Sequence, residues 1–401
     1  MKALEGLKVV GLVTAGAGPM LLRTLAIHGA QVVVIETTKR PNVTRLSGPY
    51  KDGKPGPDRS YSFAISLNGG YSLLLDLKHP KAEVVKKRLI EWADVIVENW
   101  RPGVVERLGM GYEEVKKIKP DIIMLSISHM GRGGPYSHMP GWGITLSALS
   151  GLMFLTGWPD RSPVNLGGLG ILPDYISPRF GVIAIMAAIE YKRQTGKGQY
   201  IDLSQYECCL QFQIPALLEY TCNKRIPMRM GNKSEIACPH NVYKCRGEDN
   251  WCAISINSDE EWEKFAKIME KPWLAKKFKT FKERKKHEDE IDAIIEEWTR
   301  NFDPFELMHI LQKHGIAAGV VRDIKSALSC PQLTHRSYWK KLTHPVLGTA
   351  IYQGPSYILS ETPYELQRPP CLGEHTEFVC TQLLGFSDEE FVKLLQEGVF
   401  Q

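Results

Sequence analysis

The most chemically suggestive feature of this sequence is a carboxylate that follows a run of glycines. The segment reads Leu166-Gly167-Gly168-Leu169-Gly170-Ile171-Leu172-Pro173-Asp174, and a helix is expected just beyond it, from about Pro178 to Arg193 with Ser177 as N-cap. Free amides and the macrodipole at a helix start favour negative charge, so Asp174 is expected to be anionic. A side chain with an ordinary pKa of about 3.9 is ionised at pH 7 and can attack an electrophile without a partner base. Asp174 could equally do no more than cap the helix, and the local sequence leaves both roles open.

A second constellation is Gly16-Ala17-Gly18, placed after one apolar run and followed by Glu36 at the end of the next. In a dinucleotide fingerprint such glycines admit a pyrophosphate and the acid holds a ribose. Here Leu21 stands where the third glycine belongs, and Pro19 removes an amide donor, which weighs against NAD. A backbone cradle for another phosphorylated ligand stays open. His129, His138 and His240 sit near glycine or proline, without spaced His, Cys or carboxylate partners, so no metal is expected. Neither a G-x-S-x-G nor a P-loop pattern occurs.

The elements that must carry these residues follow from hydrophobic periodicity. Residues 7–13 and 31–35 are continuous apolar runs flanking a helix at about 20–28, and the alternation repeats with strands near 94–97 and 121–127 and helices near 80–92 and 111–118. Continuous apolar strands alternating with helices predict a parallel sheet covered on both faces, the doubly wound α/β arrangement. A short strand at 200–203 leads into Ser204-Gln205-Tyr206-Glu207, a capping box opening a helix to about Tyr220, and Ser387-Asp388-Glu389-Glu390 opens the second helix of the tail. Residues 223–240 read as irregular linker; strands near 243–245, 252–256 and 317–321 surround charged helices. The division expected is a large Rossmann-like domain over 1–222, a small α+β domain over 223–325, and a return segment over 326–401 that completes the large domain.

Composition narrows the classes of function. The 401 residues are 43% apolar and 24% charged, with a net charge of only +5. Lys and Arg are interspersed with acids; the one dense basic run, Lys276 to Lys286, reads as a solvated helix face, and no nucleic-acid partner is expected. No run approaches the roughly 18 uninterrupted apolar residues of a membrane span, and the N-terminus lacks a signal core. Nine cysteines, none in a CxxC pair, suit a reduced cytoplasmic protein whose thiols fill the core.

Taken together, several blocks resemble class III CoA-transferases, the family of formyl-CoA transferase, carnitine CoA-transferase and the 2-methylacyl-CoA racemases. They are Ala15-Gly16-Ala17-Gly18-Pro19, Gly29 to Glu36, Leu75-Asp76-Leu77-Lys78, Ala93 to Gly103, Gly131 to Tyr136, Arg193 to Gln199 and Pro369 to Thr376, in the family's order across almost the whole chain. The resemblance implies an interlocked homodimer whose site lies between the large domain of one chain and the small domain of the other. It implies Asp174 as covalent nucleophile, passing through an aspartyl mixed anhydride and an aspartyl-CoA thioester. It implies CoA or acyl-CoA as substrate rather than a tightly bound cofactor, with a free carboxylic acid as the second substrate. Gly16, Ala17, Leu75, Asp76, Lys78, Asn99, Trp100, Arg101 and Arg107 are the implied CoA contacts.

Departures from the family pattern shape the remaining expectations. Thr37 replaces a common arginine, with Lys39 and Arg40 as substitutes, and Asn68-Gly69-Gly70-Tyr71 lacks the usual basic residues. The stretch Ser234 to His240 is not the glycine-rich loop of formyl-CoA transferase, which argues against formyl or oxalyl substrates. Trp142 occupies the racemase histidine position, so two-base epimerisation lacks a member. Met130, Met139, Gly141, Trp142 and His240 are expected around the acyl pocket and point to an apolar, branched or aromatic group, and Pro239 to Cys245 is similar to the benzylsuccinate branch. A homologous second subunit is the alternative to a homodimer.

Overall fold

The computed structural model describes residues 1–165 and 172–401. Residues 166–171, the glycine run before Asp174, lie outside the described residues. The chain forms two compact units, one of Met1–Met153, Asn165–Arg225 and Thr334–Gln401, the other of Phe154–Val164 and Ile226–Leu333.

The first unit is built on six parallel strands: β1 (Lys8–Leu12), β2 (Gln31–Glu36), β3 (Tyr71–Leu74), β4 (Val95–Glu98), β5 (Ile123–Ser128) and β6 (Tyr200–Ser204). Their order is β3-β2-β1-β4-β5-β6, so the chain reverses its direction of travel across the sheet between β1 and β4. Successive side chains of a strand point to opposite faces, and the apolar runs divide accordingly. Val10, Leu12, Val33, Ile35, Ile96 and Met124 face one core with helix Ala82–Trp92 and the C-terminal residues Val379, Phe386 and Val399. Val9, Val32, Val34, Val97 and Leu125 face the other core, under helices Ala17–Ile27 and Leu172–Thr195. The predicted continuous-apolar strands are therefore two-sided core strands. Strand β3 was not foreseen from the sequence, because four residues after Asn68-Gly69-Gly70 give too short a signal.

The long helix corrects one expectation. It begins at Leu172, not near Pro178, which lies inside it. Proline costs a helix the bond to the carbonyl four residues back, here that of Asp174 in the first turn. Ser177 is not a cap: it is buried, and its hydroxyl donates to the Pro173 carbonyl at 2.9 Å. The helix is long and apolar enough to cross a membrane by composition alone. Its buried stripe of Ser177, Gly181, Ile185 and Ala188 packs instead on the sheet and on helix Ala17–Ile27, where an added Cβ on Gly181 would come 2.4 Å from a Leu21 methyl.

The predicted caps at Ser204 and Ser387 both form, with each hydroxyl accepting the amide three residues on. The second opens helix Asp388–Gln396, whose Phe391 and Leu394 cover the first core face. The chain also contributes a hairpin to this unit, β10 (Trp339–His344) with β11 (Gly348–Gln353).

In the second unit, strands β7 (His240–Lys244), β8 (Trp251–Ser255) and β9 (Ala317–Val320) form an antiparallel sheet. Trp262, Phe265, Ile291, Ile295, Leu307 and Leu311 pack on it from three helices. The basic run falls on two short helices and the turn between them; its lysines are exposed apart from the half-buried Lys285, and Arg284 is buried and bonds the Cys238 carbonyl and Asp259.

A buried ionic cluster fixes the end of β2. Arg45 donates to both oxygens of Glu36 at 2.8 Å, to Asp58 at 2.8 Å, and lies over the Phe63 ring. Removing one partner of such a buried pair strands the other, at a cost of about 3–5 kcal/mol. Arg45→Ala is expected to lower stability by about that amount in urea unfolding followed by tryptophan fluorescence. A loss below about 1 kcal/mol would show that water replaces the guanidinium.

Candidate active site at the carboxyl edge of the parallel sheet

Where strand order reverses, between β1 and β4, an open α/β sheet leaves a crevice outside the carboxyl ends of its strands. A cavity of about 1320 Å³ occupies it, lined by Thr14, Ala15, Asn99, Trp100, Arg101, His129, Trp142, Asp174 and Gln205 among others. The loops after β1 and β4 are clasped together: Asn99 accepts the Thr14 amide and donates to the Thr14 carbonyl, each at 2.7 Å. Ala15 adopts a left-handed backbone, φ 56°, unusual for a residue with a side chain. Its amide is held by Asn42 at 3.1 Å, a contact that over-determines the strained turn.

That turn delivers Gly16 against Asp174. A Cβ on Gly16 would stand 2.8 Å from the Asp174 Oδ2 atom, so only glycine leaves the carboxylate its place. Gln205, buried at the start of helix Gln205–Leu210, donates from Nε2 to Asp174 Oδ1 at 2.9 Å and to the Ser177 hydroxyl at 3.0 Å. Burial raises the Asp174 pKa above the ordinary carboxylate value, and the Gln205 bond and nearby His129 only partly offset it. Desolvation makes the anion a better nucleophile when it forms. Burial lowers the pKa of His129 in turn, with Asp174 opposing and Arg101 reinforcing the shift. The imidazole is therefore held toward its neutral form.

The cavity brings together most of the residues singled out in the sequence. Leu75, Asp76, Lys78, Asn99, Trp100, Arg101 and Arg107 line it, as do Met139, Gly141 and Trp142. Asp76 is paired with Lys39 at 2.7 Å, and Asn99 spends its amide on Thr14, so neither is a free ligand group. Arg40, Lys78, Arg101 and Arg107 are exposed and lack ion pairs among the described residues, which suits them to phosphate. Gly16 and Ala17 are not among the lining residues; Gly16 abuts Asp174 and Ala17 is buried in the core. Met130 does not line the cavity, and His240 is on β7 of the second unit, its Nδ1 against the Asn232 carbonyl at 2.6 Å.

Glu36 ends β2 where a ribose-binding acid would stand, but Arg45 and the Ser72 hydroxyl consume both its oxygens. This weighs against the dinucleotide reading, in which the acid must be free to accept from a ribose. Among the described residues no cluster of three metal-ligating side chains occurs. Gln205, His129 and Asn42 were missed as site residues. The only local signal for Gln205 was its place at a capped helix start.

The raised pKa of Asp174 has a stability consequence. Its contribution to folding is fully present below the unfolded pKa of about 3.9 and is lost as pH rises through the folded value, so the ionised form costs stability. Asp174→Asn is expected to raise the melting temperature at pH 7 and to do so less at pH 4. An equal change at both pH values would locate the effect in packing.

The profile of CoA-transferase family III matches residues 4–376. The chain is 30% identical over 402 residues to the succinyl-CoA–D-citramalate CoA-transferase of Chloroflexus aurantiacus, spanning 99% of this chain and 98% of that protein. It is 30% identical over 405 residues to the succinyl-CoA:glutarate CoA-transferase of Homo sapiens, spanning 100% of this chain and 90% of that protein. The crystal structure of a CAIB/BAIF family protein from Brucella suis superposes with a TM-score of 0.87 and 28% identity, over 95% of this chain and 99% of that one. One family thus accounts for nearly the whole length, and this chain belongs to CoA-transferase family III and is a CoA-transferase.

Proposed function

We propose that this chain moves CoA from an acyl-CoA to a free carboxylic acid with Asp174 as the covalent nucleophile. The observation that carries the reading is a half-buried carboxylate, raised in pKa, opening onto the cavity at the sheet's switch point. An Asp174 oxygen adds to the thioester carbonyl carbon, the C–S bond breaks, and a mixed anhydride and CoA thiolate result. The thiolate then attacks the aspartyl carbonyl and expels the first acid as a carboxylate, leaving aspartyl-CoA. The acceptor carboxylate attacks that thioester and the two exchanges run in reverse, regenerating Asp174. Each exchange trades one activated acyl bond for another, so no nucleoside triphosphate is needed.

Arg40, Lys78, Arg101 and Arg107 are the proposed partners of the CoA phosphates, with Leu75 and Trp100 as apolar contacts. Asp76 orients Lys39 and the Lys78 amide rather than touching CoA. Both curated relatives described above carry succinyl-CoA in their names, which makes it the first donor to test. Met139 and Trp142 suit an acceptor with an apolar, branched or aromatic body.

The interlocked homodimer is part of this proposal. Helix Ile214–Asn223 buries none of its residues, and Phe212, Leu217, Leu218 and Tyr220 are each more than half exposed. Such an apolar surface calls for a second chain.

The test is intact mass after incubation with a panel of acyl-CoAs, followed by hydroxylamine or borohydride trapping. Modification localised to Asp174, absent in Asp174→Ala, is expected, with transfer lost by at least about 10³-fold in the variant. An unmodified, folded protein across the panel would overturn the reading. Arg101→Ala and Arg107→Ala are each expected to raise KM for acyl-CoA with kcat nearly unchanged, since phosphate contacts bind ground and transition states alike. CoA, and not NAD, should raise the melting temperature of the wild type.

A further inference from the structure

We propose that His129 is a further catalytic residue, the hydrogen-bond donor to the carbonyl oxygen under attack at Asp174; this rests on the covalent reading given above. His129 stands at the end of β5, one strand from the Asn99–Arg101 turn, and lines the same cavity as Asp174. The two side chains interact electrostatically, and Arg101 is the other charge felt by the ring.

The main chain and the ring of His129 do different things. Its carbonyl accepts the Tyr206 amide at 2.9 Å, which anchors the helix that begins with Gln205. Its ring nitrogens, by contrast, make no hydrogen bond among the described residues, although the side chain is half-buried. Neither nitrogen is sealed off from the cavity as a buried unsatisfied atom. A half-buried imidazole facing a cavity without a protein partner is placed to bond what enters.

Gly141 keeps the ring unobstructed. A Cβ there would stand 3.2 Å from His129 Nδ1 and 2.5 Å from the Thr145 hydroxyl. The Pro140-Gly141-Trp142 loop can therefore close on the imidazole while leaving it free of side-chain contacts. Gly16 does the corresponding service for Asp174. Two glycines thus clear the space around the nucleophile and the donor.

The step is balanced without proton transfer. As an Asp174 oxygen adds to the acyl carbon, negative charge develops on the carbonyl oxygen, and the neutral ring donates an N–H to it. The bond weakens again when C–S cleavage restores the carbonyl and releases the thiolate. Burial favours the neutral imidazole this role needs, since an imidazolium beside Asp174 would pair with the nucleophile and quench it.

The experiment uses full-length protein with succinyl-CoA as first donor and, as acceptors, dicarboxylates beside apolar, branched and aromatic acids. His129→Leu keeps bulk without a donor and is expected to lower kcat by about 100-fold, with KM for succinyl-CoA within about threefold. His129→Gln restores an N–H and is expected to recover to within about tenfold of wild type. In the wild type two groups, Asp174 and His129, take up the first inactivating proton, which puts the acid midpoint above that of either alone. The acid limb of kcat should therefore move to lower pH in His129→Gln, where only Asp174 titrates.

Trapping separates the two ideas. No Asp174 adduct in the wild type with any acyl-CoA of the panel removes the covalent reading and this proposal with it. A wild-type adduct that His129→Leu forms equally fast, with melting temperatures matched, overturns the role of His129 alone. Equal loss in Leu and Gln variants with an unmoved acid limb also overturns it, and assigns the ring to structure.

Discussion

The site depends first on a guanidinium removed from water. Arg45 is fully buried, paired with two carboxylates and stacked 3.5 Å from the Phe63 ring centre. Charges so placed stabilise little in net terms, because desolvation cancels much of their attraction, but they tolerate one arrangement only. That arrangement reaches the far ends of the chain. Arg45 touches the Pro370 carbonyl, Asp58 accepts the Leu372 amide at 2.8 Å, and the Ser72 hydroxyl bridges Glu36 to the Gly373 amide. Residues more than 300 positions apart in sequence are thereby fixed to one strand end.

From this anchor the constraint runs to Asp174 through short steps. The segment from Thr37 to Thr44 leaves β2 and returns to Arg45, and its Asn42 holds the strained turn at Ala15. The turn places Gly16, and Gly16 leaves the carboxylate its room. Asn99 locks the same turn to the loop after β4. Gln205 approaches from the opposite side, at the end of β6. The carboxylate is thus enclosed without being neutralised: one amide hydrogen bond restrains it, and no cation pairs with it among the described residues.

What the sequence disclosed follows from the range of the interactions involved. Strands β1, β2, β4 and β5 were legible because a two-sided core strand must be apolar along its length, as Val9 to Leu12 and Val32 to Ile35 are. The Ser204 and Ser387 caps were legible because a cap and its amide lie three residues apart. Glu36 was visible as a strand-ending acid but its occupation by Arg45 was not, since no local rule ties an acid to an arginine nine positions on. Gln205 was invisible as a site residue for the same reason, its contact with Asp174 spanning 31 positions. Ser177 and Pro178 misled: they form a helix-start signal, and only packing on Leu21 shows that the helix passes through them. Asp174 itself was ambiguous locally, and the resemblance of ordered blocks along the chain decided for catalysis.

Helix Ile214–Asn223 has a consequence for the order in which the protein assembles. Ten residues are too few to hold a helix in water by propensity, and this one buries none of its side chains within its own chain. In the interlocked homodimer proposed above, its order comes from the partner surface that covers Leu217 and Leu218. Within that proposal the segment folds late in a nascent chain, because the encounter that completes it is second order in protein. Yield after dilution from denaturant would then depend on concentration, and a collision rather than a rearrangement would limit maturation.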